Sequence, residues 1–271
     1  SSVKKKQDQI EEKSFVIIVP SFNNSLYCHH NLVSILSQEY QNFRVIYIDD
    51  HSTDDTLQKV TSFIENHPFK EKMHLISNPQ NQGALKNIYT TVHAYCKNNE
   101  IVVLVDGDDF LAHSKVLKKL NKVYQDGHVW MTYGNYLDYP SYKQDPAICA
   151  PFPSSVIKQN QFRKYKWVAS HLKTFYAGLF KKIPQEDLMM NQQFLPMAYD
   201  LALMLPLLEM SSIHTKFIKE PLYLYNRSNP LNDHKKDLSL QGKCAAFIKA
   251  KAPYSPLKST DAFLQKERAS Q

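Results

Sequence analysis

A chain of 271 residues, 43% hydrophobic and 22% charged, suffices for one large domain or a domain with a smaller appendage, with the composition of an ordinary soluble globular protein. Its 33 basic and 26 acidic residues leave a net charge of +7, which suits a phosphate-rich ligand or an anionic membrane surface; the lysines are scattered and carry no nucleic-acid motif, so no nucleic-acid partner is expected. No apolar run approaches the roughly 20 residues needed to span a bilayer, and four cysteines without a CxxC (Cys28, Cys96, Cys149, Cys244) argue against a zinc site or disulfide framework and for reduced thiols in the cytoplasm.

Residues 1–13 are polar and lack the apolar core of a signal peptide, so they read as a solvated lead-in or the cut edge of something longer. The run SFVIIVPSF (14–22) predicts a buried strand, stopped by proline. A helix is expected over 31–38, where Leu32, Ile35 and Leu36 share a face. NFRVIYIDD (42–50) predicts a second strand ending in carboxylates; the helix after it has Ser52, Thr53 and Asp54 as candidate N-caps and Leu57, Val60, Phe63 and Ile64 at helical spacing. KMHLISN predicts a third strand, PQNQGALKN leads into a helix of about 84–97, and IVVLVDGDDF (101–110) opens with a fourth strand. Beyond residue 130, VWMTYGNYLDY predicts a strand and prolines 140, 146, 151 and 153 a loop-rich passage. The stretches 167–183 and 194–210 predict amphipathic helices, the second kinked or bounded at Pro206. HTKFIKEPLYLYN predicts a last strand, and the tail from about 240 is weakly patterned.

Strand and helix alternate four times, the signature of a mostly parallel sheet with helices on both faces. Ligands of such sheets bind beyond the carboxyl ends of the strands. Asp49–Asp50 and Asp106, Asp108 and Asp109 fall at those ends, so one cleft is expected to hold both clusters. Three carboxylates around Gly107 repel one another and are costly to desolvate unless a cation compensates them. Oxygen ligands at D-x-D spacing suit a hard divalent ion such as Mn²⁺ or Mg²⁺, which neutralises phosphate charge, and Gly107 is expected to let the backbone approach the ligand closely.

VIIVPSFNN, YIDDHSTDDT, NQGALKN and LVDGDDF, in that order and at those distances, resemble the GT-A glycosyltransferases, specifically the inverting enzymes of family 2. The resemblance is strong over about 14–112 and looser to about 236. It implies a GT-A fold, α/β and Rossmann-like, with a C-terminal acceptor-binding helical region. After the lead-in, residues 14–130 would form the nucleotide-sugar-binding half, 131–240 the acceptor-binding and catalytic half of the same domain, and 241–271 a tail. It further implies that Pro20 and Phe22 line the nucleobase pocket, Phe22 standing where tyrosine is commoner. Asp50 matches the aspartate that reads uracil, with Asp49 a structural neighbour. Lys86 and Asn87 match the basic-Asn pair near base, ribose and phosphate. Asp106 would contact ribose or a bound water and Asp108 the metal, while Asp109 either supports the metal from behind or caps a helix.

For the general base the resemblance points to Asp200, in MAYD opening an apolar helix; helix capping is its competing role, and the Glu186–Asp187 pair is the alternative base. Arg227 and His234, in YNRSNPLNDH, fall where related enzymes close over the diphosphate, Arg227 on phosphate and His234 as a metal ligand or a plain surface histidine. His171 and Trp167 are placed on the acceptor side, with helix packing as the competing role, and His29–His30 on a helix surface. The absence of a glycine-rich phosphate loop after the first strand argues against a nucleotidyltransferase and a Rossmann dehydrogenase, and a receiver domain leaves the second half unexplained. The expectation is a metal-dependent inverting glycosyltransferase with a UDP-sugar donor and a glycan, lipid-linked or protein-linked acceptor. It would be cytoplasmic, with peripheral membrane contact for a lipid acceptor; a catalytically silent sugar-nucleotide or glycan-binding module is the alternative.

Overall fold

The computed structural model describes residues 10–144, 148–231 and 237–265. The four apolar runs of the first half become β1 (Phe15–Ser21), β2 (Phe43–Asp49), β3 (Met73–Ser77) and β4 (Ile101–Leu104), connected by α1 (Cys28–Leu36), α2 (Thr56–Asn66) and α3 (Ala84–Tyr95). All four strands are parallel, in the spatial order β3-β2-β1-β4. β1 and β4 are buried at every position, which is why they read as unbroken apolar runs.

The second half extends the same sheet. After β5 (Phe110–Leu111) and α4 (Val116–Tyr124) come β6 (Met131–Tyr139), α5 (Ser154–Lys158), β7 (Ser170–Tyr176) and α6 (Ala177–Phe180). A two-strand ribbon follows, β8 (Met189–Met190) with β9 (Gln193–Phe194), then α7 (Tyr199–Ser211), β10 (Thr215–Asn226), α8 (Leu238–Ala250) and α9 (Asp261–Leu264). The eight-stranded order is β3-β2-β1-β4-β7-β6-β10-β5. β7 runs antiparallel to both β4 and β6, β10 is parallel to β6, and β5 is antiparallel to β10. The sheet is thus parallel on one side and mixed on the other.

Three sequence expectations need correction. The stretch 167–183 is chiefly strand β7, with only a four-residue helix after it. Val168, Leu172, Phe175 and Leu179 fall at helical spacing, but β7 is a central strand, buried from His171 to Tyr176, and such strands have no polar alternation to betray them. The helix of 194–210 begins only at Tyr199 and does not end at Pro206 but runs through it to Ser211. The lost backbone bond costs about 3 kcal/mol, and burial of every residue from Ala202 to Ser211 offsets it. The weakly patterned tail contains the 13-residue α8.

α7 is anchored from below by a buried ion pair. Arg163 Nε and Nη2 donate to Glu209 Oε1 and Oε2 at 2.6 and 2.9 Å, Arg163 Nη1 to the Ile248 carbonyl at 2.6 Å, and Tyr254 N to Glu209 Oε2 at 2.9 Å. Glu209 is fully buried, so its charge depends on these partners. Glu209→Ala strands the arginine and is expected to lower the unfolding free energy by about 3–5 kcal/mol in urea titration, whereas replacing both partners by apolar residues of similar size should recover much of it.

Candidate functional site

The carboxyl ends of β1, β2 and β4 open into a cavity of about 210 Å³. At one end the loop before α3 is pinned by Asp50. Its Oδ1 accepts from Asn78 Nδ2 and Gln82 N, and its Oδ2 from Gly83 N, each at 2.8 Å. Gly83 has φ +84°, a backbone state that a side chain would strain, and it opens α3. Asn78 Nδ2 also donates to Asn87 Oδ1 at 2.8 Å; Asn87 lines the cavity, and its Nδ2 is buried without a hydrogen-bond partner among the described residues. Asp49 accepts from Ser52 N and is a structural neighbour, as expected from sequence.

The turn after β4 is held by Asn31, whose Nδ2 donates to the carbonyls of Asp106 and Asp109 at 3.0 and 2.8 Å. A Cβ on Gly107 would lie 2.6 Å from Ser21 Cβ and 2.7 Å from Asn24 Nδ2. Glycine is therefore required by a close approach to Ser21 and Asn24 at the end of β1, and Gly107 also lines the cavity. Asp109 caps no helix: Tyr223 Oη donates to its Oδ2 at 2.6 Å and Asn226 N to its Oδ1 at 2.8 Å, tying β10 to the turn. Tyr199 Oη donates to Asp106 Oδ1 at 2.7 Å, and Asn229 Nδ2 to Asp108 Oδ2 at 2.7 Å.

His171 joins this acidic group from β7, a place the helical reading of its segment concealed. One ligand atom each from Asp106, Asp109 and His171 lies within 4.8 Å of the others. Burial, followed by the nearby Lys173 ammonium, holds the imidazole well below its ordinary pKa, so it is neutral and can offer a lone pair. Its ring stacks on Tyr223 at 4.3 Å. Burial pushes the Asp106 carboxyl up to about 7; Asp200 and Asp108 also raise it, and the Lys173 ammonium and Tyr199 hydroxyl oppose them. Asp109 is raised well above the carboxylate range by burial and by Asp108 and Asp106. Two carboxyls so destabilised as anions, beside a neutral imidazole, form a donor set that fits a divalent cation.

Asp200, in the first turn of α7, lines the same cavity, and Lys173 of β7 donates to its Oδ1. Sequence alone gives Lys173, in the stretch SHLKTF, no role. Reading SHLKTFY as a strand would have put Lys173 on the same face as His171, two residues away. The cavity thus brings together Pro20, Phe22, Asp50, Asn87, Asp106, Asp108, Asp109, His171 and Asp200. Phe22 sits at its rim, 39% exposed.

Other sequence candidates lie outside the lining. Lys86 is half-buried in the first turn of α3. Arg227 Nε donates to Asp138 Oδ1 at 2.8 Å, with its guanidinium 4.6 Å from the Tyr225 ring centroid. Asp187 accepts from Tyr254 Oη and pairs with Lys251 at 3.5 Å, away from the cavity. Trp167 packs partly buried against the core, and His30 stacks on Phe110 from the surface of α1. His234 lies outside the described residues.

Known proteins resemble the chain in sequence and in fold. An uncharacterized glycosyltransferase of Haemophilus influenzae is 35% identical over 122 residues, 44% of this chain and 46% of the relative. The Escherichia coli protein WfgD, a UDP-Glc:alpha-D-GlcNAc-diphosphoundecaprenol beta-1,3-glucosyltransferase, is 28% identical over 120 residues, 44% of each chain. This chain therefore spans less than half the length of these curated relatives. The crystal structure of S. aureus TarS 1-349 in complex with UDP-GlcNAc superimposes with a TM-score of 0.63 at 17% identity, over 92% of this chain and 69% of that one, which establishes a shared GT-A fold. The sequence profile described as "Glycosyl transferase family 2" matches residues 16–186, more than half of the chain, and the chain belongs to that family.

Proposed function

We propose that the protein is a metal-dependent, inverting glycosyltransferase that takes a sugar from a UDP-sugar. The observation carrying this reading is one cavity with a polar end at Asp50 and Asn87 and an acidic end at Asp106, Asp108, Asp109 and Asp200. Asp50 supplies acceptor oxygens at that end, its Oδ2 holding a single hydrogen bond, from Gly83 N, among the described residues, and Asn87 lies beside it. UDP-GlcNAc in the TarS complex and UDP-Glc in the name of WfgD support uracil as the base.

Asp106, Asp109 and His171 would hold the divalent ion, and Asp108, on the same turn, would add negative charge to the site. Bound there, the ion would neutralise charge on the departing diphosphate. The remaining work belongs to the chain. Asp200 accepts the proton of an acceptor hydroxyl as that oxygen forms its bond to the anomeric carbon, and the bond to the diphosphate oxygen breaks on the opposite face, inverting the centre. The hydroxyl is proposed to belong to a saccharide, free or lipid-linked. Among the described residues no helix is long and apolar enough to cross a membrane, so a lipid-linked acceptor would be met at the membrane surface.

Calorimetric titration of UDP into the protein tests the donor site. Binding is expected with Mn²⁺ and a loss of at least tenfold in affinity with EDTA, since the cation would neutralise the charge of both the carboxylates and the diphosphate. Equal affinity in both conditions would remove the metal from the proposal; binding of CDP or GDP in place of UDP would replace the donor.

A further inference from the structure

We propose that Lys173 is the positioning residue for Asp200, fixing the carboxylate in the attitude from which it receives the acceptor's proton; this rests on the reading of Asp200 as the base. Lysine is almost never fully buried unless paired, and Lys173 is 1% exposed in the centre of the sheet, opposite Leu104 of β4. Nothing in the packing of β7 demands an ammonium there: its neighbours His171, Leu172, Thr174 and Phe175 are neutral and buried. The charge is accounted for by what lies at its end.

Lys173 Nζ contacts only one carboxylate oxygen of Asp200, Oδ1. Among the described residues no group donates to Oδ2, and the side chain is 35% exposed where it lines the cavity. One oxygen is therefore tied to a rigid strand while the other faces the space an acceptor would enter. Without the ammonium, the charges on Asp106 and Asp108 would repel the Asp200 carboxylate from that place. The arrangement reaches further through Tyr199. Its ring lies 5.7 Å from Lys173 Nζ and its hydroxyl donates to Asp106, so the residue before the base is fixed to the acidic turn. Lys173 does not line the cavity, and its ammonium also acts by charge on Asp106 and His171, so the double variant below separates that influence from the part exerted through Asp200.

The test uses four variants of the full chain, Lys173→Met, Lys173→Arg, Asp200→Asn and the Lys173→Met/Asp200→Asn double, with UDP release from UDP-glucose and UDP-GlcNAc measured in Mn²⁺. Lys173→Met is expected to lower kcat about a hundredfold with KM for the donor within about threefold, because a misplaced base costs chemistry and not binding. Lys173→Arg is expected to recover most of that loss. In the Asp200→Asn background, removing the lysine should cost nothing more, since its effect passes through a carboxylate no longer there. An undiminished further loss in the double variant, or a raised KM at unchanged kcat, would overturn the proposal. Crystal structures of wild type and Lys173→Met with UDP and Mn²⁺ provide a readout independent of turnover: the Asp200 carboxylate should occupy one conformer in the first and leave it in the second, and an unmoved carboxylate would reject the role. Full activity of Asp200→Asn would instead fault the base, whereas an inactive Asp200→Asn beside a fully active Lys173→Met would fault the lysine alone.

Discussion

Asp200→Asn is expected to bind UDP and Mn²⁺ as the wild type does, within about threefold, while transfer falls by about 10²–10⁴-fold, the usual contribution of a general base. The substitution keeps size and hydrogen-bonding capacity, so Lys173 loses a charged partner but α7 keeps its first turn. The split between intact binding and lost chemistry is what separates this from damage to the fold. It is measured by calorimetry with UDP and by release of UDP from the sugar donor. Undiminished transfer would move the base elsewhere, and Glu186 and Asp187 are poorly placed to inherit the role, because Asp187 is engaged with Tyr254 and Lys251.

The second large effect is expected from the acidic turn. Asp106→Asn and Asp108→Ala should each abolish the Mn²⁺-dependent part of UDP binding, and Asp106→Asn should also remove the rise in melting temperature that Mn²⁺ gives the wild type. That rise should itself depend on pH, with a definite sign. The Asp106 carboxyl is raised by burial from its unfolded value, near 4, to about 7 when no cation is present. Between those values the native state holds a proton that the unfolded chain has released, so the stability of the metal-free protein falls as pH rises through this window. Below it both states are protonated and the contribution is intact; above it the proton is lost and the anion's burial is uncompensated. The cation needs the deprotonated carboxyl and competes with the proton. Mn²⁺ should therefore stabilise little at pH 5 and most at pH 8, read by thermal unfolding at matched ionic strength. A constant increment across that range would exclude Asp106 as a ligand.

The first half of the fold was legible because its strands are short, apolar and buried, and because their loops carry residues with distinct backbone duties. Asp50 and Gly83 illustrate the point: one accepts three hydrogen bonds from the loop between them, the other supplies its positive φ. The acidic turn was also visible, since three carboxylates around one glycine repel one another unless a cation compensates them. The second half was not, and the reason is topological. β7 is a central strand whose apolar residues fall at helical intervals, so neither period nor polarity distinguished it. Its pairing with β4 brings residues 170–176 beside 101–104, a relation no local pattern encodes. His171 and Lys173 enter the site only through that pairing. Asp200 could be placed because the apolar helix behind it was visible, although Pro206 gave that helix a false end.

The position of β7 also governs how the chain emerges during synthesis. β1 to β4 can pair as soon as residue 104 is free of the ribosome, yet β4 then has an open edge of four apolar residues, IVVL. An unpaired apolar edge is a template for adhesion to other chains. Its partner begins only at residue 170, and at about 5–20 residues per second that interval lasts several seconds. A fragment ending before β7 would keep the edge open indefinitely and should be found in inclusion bodies or on chaperones. Expression designed to isolate the four parallel strands should therefore carry β7 with it.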